Sequence, residues 1–295
     1  MAEKLGGVFS FPGTGLTVNR VGFGAMQLTG PHIFGPPKDR EECVRVVRRA
    51  VEEGVNHIDT GDFYGPHYAN WILQEALHPY RDDLVIATKV GAYRGGQGEW
   101  VQDHSREVLE GSVHDNLRNL KRDVLQVVNV RGLGLAEADP NFDIRPSVEV
   151  IAELQHKGLV QHIGVSNVNA AQVAAAQSVA PIVCVQNMYN VAHRADDALI
   201  EDLSRQGIAY VPFFPLGGFS PLQSDKLNAI AASLEATPLL VAQAWLLQRS
   251  PNLLLISGTS KVAHLEENLK AGALYLPPAA VETLDSIAAQ DGPTA

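Results

Sequence analysis

Cysteine and long hydrophobic runs are both scarce in this chain of 295 residues. Its two cysteines, Cys43 and Cys184, each fall within an apolar run, which favours two buried thiols over a disulfide. No window approaches ~18 consecutive apolar residues, the length needed to span a bilayer. The first ten residues also lack the apolar segment of a signal peptide. We therefore expect a soluble, cytoplasmic protein without membrane association.

Positive charge is the second deficit. The chain has 23 Lys and Arg residues against 33 Asp and Glu residues, so its formal net charge is -10. An acidic surface repels nucleic-acid phosphates and anionic lipids, and no basic patch recurs along the chain. The expected partner is a small molecule and not a nucleic acid. We expect a monomer, and we predict no metal site.

Apolar residues are plentiful, at 45% of the chain, and they recur in short Val/Ile/Leu runs that alternate with helical patterns. Strands without inward–outward alternation are buried on both faces, which is typical of a parallel sheet covered by helices. Eight strand–helix units favour a (β/α)8 TIM barrel, formed by one domain over residues 1–295. We expect an N-terminal β-hairpin over 7–19 and a C-terminal helix over 278–289. The predicted strands are 21–25, 55–58, 84–88, 124–130, 160–165, 182–185, 208–211 and 253–256.

A doubly wound sheet is the alternative fold. That fold usually carries a G-x-G-x-x-G turn after its first strand, and the Gly22-x-Gly24 segment does not have this spacing. We therefore prefer the barrel. In a barrel of this kind the chemistry gathers at the C-terminal ends of the strands.

An acid, a phenol and an amine follow two successive strands of the predicted barrel. Asp59 ends the second strand, Tyr64 lies five residues further on, and Lys89 ends the third strand. A buried ammonium needs a counter-charge, which Asp59 can supply. We expect the ammonium to lower the pKa of the Tyr64 phenol and make it a usable proton donor. The group would then reduce a carbonyl, with hydride from a cofactor.

Several further motifs occur along nearly the whole chain. They are Asp59-Thr60 with Tyr64-Gly65, Thr88-Lys89, Gly164-Val165-Ser166-Asn167, Gln186, Phe213-Phe214-Pro215-Leu216, Gly258-Thr259-Ser260 and Glu267-Asn268. In these motifs the chain resembles the aldo-keto reductase family. The resemblance implies that Tyr64 is the general acid, assisted by Lys89 and Asp59. It implies NADPH as the cofactor, with NADH possible. The cofactor-binding residues that it implies are Gly24, Ala25, Ser166, Asn167, Gln186, Phe213, Leu216, Gly217, Gly258, Thr259, Ser260, His264, Glu267 and Asn268.

Two positions depart from the family pattern. His264 stands where the family commonly has an arginine near the cofactor, and Lys261 is a candidate to compensate. The fourth strand has no histidine at its end, and either Asn129 or Arg131 is available in its place. Both should face the same side, because side chains alternate along a strand.

The substrate pocket is predicted from residues near the same end of the barrel. Met26, Asn129, Arg131 and Trp100 are the candidate substrate-binding residues, and Phe63 and Phe219 are further candidates for the pocket wall. An arginine in an apolar pocket suits a small aromatic or heteroaromatic aldehyde with an ionisable hydroxyl. Among similar family members, the Asn-x-Arg ending favours pyridoxal-type aldehydes.

Two other functions stay open. A barrel lysine at a strand end is also the nucleophile of Schiff-base aldolases, which would give Lys89 a covalent role. The chain could instead be a nucleotide-binding regulatory barrel with little catalysis. The aldolase leaves Ser166, Asn167, Gln186 and Phe213 unexplained, and the sequence shows no added interaction segment for a regulatory barrel.

Overall fold

The computed structural model describes residues 5–134, 137–215 and 224–288. Within these ranges, seven parallel strands form one sheet with the order β11-β10-β9-β8-β5-β4-β3, and two separate antiparallel hairpins lie outside it. The strands are β1 (Val8–Ser10), β2 (Thr17–Asn19), β3 (Phe23–Gly24), β4 (His57–Asp59), β5 (Val85–Val90), β6 (Ala92–Arg94), β7 (Trp100–Gln102), β8 (Leu125–Arg131), β9 (Val160–Ser166), β10 (Ile182–Gln186) and β11 (Ala209–Tyr210).

An eighth parallel segment closes the sheet into a ring. Leu253 forms a bridge with Tyr210 on one edge strand, and Leu255 forms a bridge with Val21 just before the other. The amide of Gly22 donates to Leu255 O at 2.8 Å, and the amide of Leu254 donates to Tyr210 O at 2.9 Å. The predicted (β/α)8 barrel is confirmed.

The helices lie around this ring, and their boundaries follow the capping signals in the sequence. Asp39 accepts a hydrogen bond from the amide of Glu42 at the start of the first helix, as expected for an N-cap. Pro238 occupies the first turn of a helix capped by Thr237, where its missing N–H costs nothing. The helices are α1 (Arg40–Glu52), α2 (Tyr68–Leu77), α3 (Arg106–Leu120), α4 (Arg145–His156), α5 (Ala170–Gln177), α6 (Asp197–Gln206), α7 (Asp225–Ser233), α8 (Pro238–Arg249), α9 (Val262–Leu269) and α10 (Pro278–Asp285).

Two apolar layers hold the barrel together. Side chains of one parity along β5, such as Val85 and Ala87, pack in the interior, whereas Ile86 and Val90 pack between the sheet and the helices. The interior layer includes Phe11 from the β1–β2 connection and Val18 of β2, so the N-terminal hairpin covers one end of the ring. Lys89 has the same parity as Val85 and Ala87 and therefore faces the interior.

Some predicted features need adjustment. The β6–β7 hairpin was not predicted, because its strands are only three residues long and give no clear hydrophobic pattern. Cys43 and Cys184 are buried free thiols, as predicted. Among the described helices, none alone is long and apolar enough to cross a membrane. Only α7 and α8 together pass that test of length and composition, and they meet at 92°.

Candidate active site

A buried ion pair lies at the C-terminal end of the barrel, between β4 and β5. Lys89 Nζ donates to Asp59 Oδ1 at 2.5 Å and to Thr60 O at 2.9 Å. The other carboxylate oxygen of Asp59 accepts from Gln186 Nε2 at 2.8 Å, across the ring on β10. Lys89 is 5% exposed and Asp59 is 3% exposed, so each charge depends on these partners in place of water. The pairing of Asp59 with Lys89 was predicted from the sequence.

Tyr64 lies directly beside this pair. The centre of its ring is 5.2 Å from Lys89 Nζ, and its amide donates to Gly61 O at 2.9 Å within a tight turn. Burial raises the pKa of the Tyr64 phenol above its usual range, although the positive charges of Lys89 and Arg131 act to lower it. The expectation of a lowered Tyr64 pKa was therefore wrong in its net direction, although Lys89 acts on the pKa as expected. Removal of the phenol from water outweighs the attraction of the neighbouring cation.

The charge state of Lys89 follows from the same surroundings. Burial alone lowers the pKa of Lys89, but Asp59 and Tyr64 raise it by more, so the net direction is upward. The lysine is therefore an ammonium at neutral pH. It can hold a proton and a hydrogen bond at this point, but it is not a free amine nucleophile.

Asn129 and Arg131 on β8 occupy different depths of the barrel. Asn129 lies beside Lys89 in the strand register, and its Oδ1 accepts from the Cys184 thiol at 3.1 Å. Burial raises the pKa of that thiol to about 12, which keeps it protonated. Asn129 Nδ2 is buried and has no hydrogen-bond partner among the described residues. Asn129 is thus held in the interior layer.

Arg131 lies two residues further along β8, nearer the open end of the barrel. It is opposite Ser166 in the register, and its Nη1 donates to Gly132 O at 3.0 Å and Gly134 O at 2.9 Å. Burial lowers the pKa of Arg131, while the neighbouring Tyr64 acts to raise it. Of the two candidates for the position of the family's histidine, Asn129 is uncharged, whereas the positive charge of Arg131 acts to lower the pKa of Tyr64.

Three predicted cofactor residues lie together at the ends of β9 and β10. Ser166 and Asn167 are each 2% exposed, and Gln186 is 1% exposed. Asn167 Nδ2 donates to Leu133 O at 2.9 Å and Gly134 O at 3.2 Å, while Gln186 Nε2 is used by Asp59. Each amide group therefore donates to the protein, and each has an oxygen that can act as an acceptor.

The next predicted cofactor residues belong to the loop after β11. Phe213 is half-buried, its amide donates to Asn187 O at 3.0 Å, and its ring packs edge-on against Phe214. Leu216, Gly217 and Phe219 lie outside the described residues.

Gly24 and Gly258 make a close backbone contact where the ring closes. A Cβ on Gly258 would lie 2.3 Å from Gly24 O, and a Cβ on Gly24 would lie 2.3 Å from Ile256 O. Only glycine fits at either position. Ala25 is fully buried beside them at the start of a short 3₁₀ helix (Ala25–Leu28). The rim at this point is formed by main chain.

The remaining predicted cofactor residues lie at or on α9. Thr259 Oγ1 accepts from the amide of Lys261, and Ser260 is half-buried. On the helix, His264 is exposed and Glu267 is half-buried, so both are accessible, whereas Asn268 is 6% exposed and its Oδ1 accepts from Gln243 at 3.3 Å.

A carboxylate already occupies the N-terminus of α9. Glu42 Oε1, from α1, accepts from the amide of Val262 at 3.2 Å, and Glu42 Oε2 pairs with Arg45 at 2.7 Å. The hydrogen bonds from Arg45 and Val262 lower the pKa of Glu42, which keeps it ionised. This contact was not predicted, because it joins residues 220 positions apart.

Aromatic side chains run from Tyr64 to the surface. Phe63 packs edge-on against Tyr64 at 5.2 Å and against Trp100 at 5.5 Å. Trp100 is 40% exposed, and the Arg94 guanidinium lies 4.1 Å from the centre of its ring. Met26 is only partly buried, on the 3₁₀ helix that follows β3. These side chains give the open end of the barrel an apolar border.

Behind the Asp59, Tyr64 and Lys89 group lies a set of buried hydrogen-bonded side chains that the sequence analysis missed. We call it the outer polar cluster, because it lies between the sheet and the helices α2 and α3. A signal was present, since polar residues interrupt the buried face of α3 at two positions three residues apart. The cluster consists of Thr60, Asp62, Asn70, Thr88, Asn116 and Asn119, and all six are at most 9% exposed.

One group beside this cluster has the composition of a metal site. Ligand atoms of Asp62, His67 and Asp115 lie within 4.8 Å of one another. Protein contacts account for them: Asp62 accepts from His67 Nδ1 at 2.9 Å, and Asp115 pairs with Arg118. The Asp62 carboxylate raises the pKa of His67. The arrangement is explained as an ion pair.

Comparison with known proteins agrees with this geometry. The model of the aldo/keto reductase family matches residues 20–289. Pyridoxine 4-dehydrogenase of Escherichia coli (strain K12) is 59% identical over 272 residues, which cover 92% of this chain and 95% of that protein. A thermostable aldo-keto reductase solved with the inhibitor epalrestat is 27% identical, with a TM-score of 0.79 over 95% of this chain and 99% of that one.

A second solved structure, an aldo-keto reductase from Klebsiella pneumoniae in complex with NADPH, is 22% identical. Its TM-score is 0.76, and the match covers 93% of each chain. At this level of identity the likeness concerns the fold. The family match and the Escherichia coli relative go further: this chain belongs to the aldo/keto reductase family and is an oxidoreductase.

Proposed function

We propose that the protein interconverts a pyridoxal-type aldehyde and the corresponding alcohol, with NADPH as the hydride carrier. The observation that carries this proposal is the buried Lys89–Asp59 pair with the Tyr64 ring beside it at the open end of the barrel. The similarity to a pyridoxine 4-dehydrogenase supports the choice of substrate. The Klebsiella pneumoniae enzyme solved with NADPH supports the choice of cofactor.

The three side chains divide the proton chemistry among them. Tyr64 donates its phenolic proton to the substrate oxygen as a carbonyl becomes an alcohol, and takes it back in the reverse direction. Lys89, held as an ammonium, stabilises the phenolate that remains. Asp59 keeps Lys89 charged and orients it, with Gln186 on its second oxygen. NADPH, when bound, supplies the hydride that reaches the carbonyl carbon.

The donor and acceptor groups at the ends of β9 and β10 fit a nicotinamide. A carboxamide offers two N–H donors and one carbonyl acceptor. Asn167 and Gln186 each donate to the protein and have an oxygen that can accept from the carboxamide, whereas Ser166 can donate its hydroxyl to the carbonyl. The half-buried ring of Phe213 offers a stacking face. We assign these four residues to the nicotinamide end of the cofactor.

The protonation state of Lys89 argues against a Schiff-base aldolase. A lysine nucleophile requires a free amine, which burial without a counter-ion would favour. Here the ammonium is bound to Asp59 and to the carbonyl of Thr60, and its pKa is raised. The same lysine is well suited to hold a charge beside Tyr64.

The overall proposal is tested by steady-state NADPH oxidation with pyridoxal, propanal and butanal. We expect pyridoxal to have the highest kcat/KM, because an aromatic ring can pack against the apolar border at Phe63 and Trp100. Turnover of pyridoxal no better than that of the aliphatic aldehydes would exclude the proposed substrate. Binding of NADPH without turnover of any aldehyde would instead favour a regulatory barrel.

Arg131 should determine the preference for a hydroxyl next to the aldehyde. Its guanidinium is a permanent cation near Tyr64, so it can hold a phenolate on the substrate. We expect Arg131→Met to lower kcat/KM for salicylaldehyde by roughly 10- to 100-fold. This factor corresponds to the free energy of one hydrogen bond to a charged group. Benzaldehyde, which lacks the hydroxyl, is the matched substrate and should lose much less. Equal losses for both aldehydes would place Arg131 outside substrate recognition.

Glu42 should limit the preference for NADPH over NADH. In (β/α)8 barrels a phosphate site is often formed by the loops after the last two strands and the N-terminus of a short helix. Here the corresponding elements are the loop at Ser260 and the N-terminus of α9. The Glu42 carboxylate lies at that terminus and repels a second anion. We expect Glu42→Gln to tighten NADPH binding about two- to five-fold, the effect of one charge at a helix end, without changing NADH binding.

Glu41→Gln is the control for this experiment. It removes the same charge one residue earlier on α1, where the side chain is 92% exposed and 3.9 Å from the same Arg45. Dissociation constants from nucleotide fluorescence would separate the two variants. A similar change in both, or a change in NADH binding, would show that Glu42 has no role in selecting the cofactor.

A further inference from the structure

The outer polar cluster is connected to the catalytic group through two threonines that are adjacent in sequence to Asp59 and Lys89. Thr60 directly follows Asp59, the last residue of β4, and Thr88 precedes Lys89 on β5. Asp59 and Lys89 meet in the interior of the barrel, whereas the hydroxyls of the two threonines bond to asparagines of α2 and α3. Each catalytic charge therefore has a neighbour that is bonded on the opposite face of the sheet.

Asn70 of α2 is the centre of the cluster. Its Oδ1 accepts from Thr60 Oγ1 at 2.8 Å, and its Nδ2 donates to Asn116 Oδ1 at 3.0 Å and Asp62 Oδ1 at 3.2 Å. Thr88 Oγ1 donates to the same Asn116 oxygen at 2.5 Å. The ends of β4 and β5 are thus joined through two buried amides.

The cluster also reaches the turn that carries Tyr64. Asp62, two residues before the phenol, accepts from Asn119 Nδ2 at 2.9 Å and from His67 Nδ1 at 2.9 Å. The amide of His67 donates to Asp62 O at 2.8 Å, which closes the turn around Tyr64. The main chain of Thr60 completes the connection, because its carbonyl accepts from Lys89 Nζ.

We propose that Thr60, Asn70, Thr88 and Asn116 are positioning residues that hold Asp59, Lys89 and Tyr64 in their catalytic geometry from outside the barrel. This inference rests on the proposed role of those three groups. Buried polar contacts of this kind permit few alternative arrangements, because each broken bond leaves a group without a partner. α2 and α3 thereby act on a reaction whose groups they do not touch.

The test uses threonine variants of nearly constant volume. Thr60→Val and Thr88→Val each remove one hydroxyl from the cluster and retain a branched side chain. We expect kcat to fall by about 10- to 100-fold, as for a misplacement of about 1 Å, with KM and the dissociation constant of NADPH nearly unchanged. Thr60→Ser and Thr88→Ser retain the hydroxyl and should restore most of the lost turnover.

Asn252→Ala controls for a general loss of stability. Asn252 is 2% exposed, and its side chain donates to Ile208 O at 2.8 Å and accepts from Ser250 at 2.6 Å, at the opposite end of the barrel. We expect it to lower Tm as much as the valine variants do, without lowering kcat. If Asn252→Ala loses as much kcat as the valine variants at the same loss of Tm, the positioning role is overturned. It is also overturned if the serine variants do not recover turnover.

Amide hydrogen exchange provides a readout that does not depend on turnover. The amides of Tyr64 and His67 close the turn after β4, and they should exchange faster in Thr60→Val than in wild type or Thr60→Ser. If wild type reduces no aldehyde, the proposed function fails, yet faster exchange would still show that the cluster holds the turn. Unchanged exchange in the valine variant would reject the inference by itself.

Discussion

Replacing Tyr64 by phenylalanine is expected to lower kcat for aldehyde reduction by roughly 10²- to 10⁴-fold, because the reaction loses its proton donor. The ring contacts with Phe63 and Lys89 do not need the hydroxyl, so the fold and the Kd for NADPH should be retained. Steady-state rates and nucleotide fluorescence on the same preparations measure both quantities. Full activity in Tyr64→Phe would assign the proton transfer to another group.

The pH dependence of the same enzyme provides a second check on Tyr64. Since burial raises the pKa of the phenol above 10, the acid stays protonated throughout the neutral range. Ionisation of the phenol should therefore not reduce the rate of aldehyde reduction at neutral pH. A fall in activity near neutral pH would have to come from a different group.

Replacing Lys89 by methionine is expected to have the largest combined effect on stability and turnover. Asp59 would keep a buried negative charge with Gln186 as its remaining side-chain partner. Removing one partner of a buried ion pair typically costs about 3–5 kcal/mol of folding free energy. Turnover should also fall by about 10²- to 10³-fold, as it does when one preorganised donor is lost. Urea unfolding and steady-state kinetics measure the two effects.

The double variant Asp59→Asn, Lys89→Met separates these effects. It removes both charges, so much of the lost stability should return, because no uncompensated carboxylate stays buried. Turnover should not return, since the group that holds the charge beside Tyr64 is still missing. A double variant no more stable than Lys89→Met would mean that the pair contributes through packing and not through charge.

The regular part of this structure could be predicted from local sequence. Continuous Val/Ile/Leu runs identified the buried parallel strands, and Asp39 has the residue type and position of a helix N-cap, which the structure confirms. The pairing of Asp59 with Lys89 could also be predicted, because the ends of adjacent parallel strands meet at one edge of the sheet. In each case the relevant signal lies within a few residues along the chain.

Features that depend on three-dimensional neighbours could not be predicted in this way. The pKa of Tyr64 reflects a balance between burial and two cations, and the sequence does not reveal how deeply the phenol is buried. The contact of Glu42 with α9 joins distant parts of the chain. Asn116 and Asn119 interrupt the buried face of α3, but the sequence does not show which groups they bond, because Thr60 and Thr88 belong to other elements.

The seam that closes the barrel sets a condition on synthesis of the chain. Arg20 contributes its main chain to the pairing with Leu255, and its guanidinium bonds to Leu247 O and Ser250 O at 2.7 Å each. Its Nε donates to Leu253 O, 233 positions away. Until residues 253–255 have been translated, the edges at β3 and β11 have no partner to close the ring. A messenger truncated before codon 252 would yield a polypeptide with two open edges, prone to aggregation.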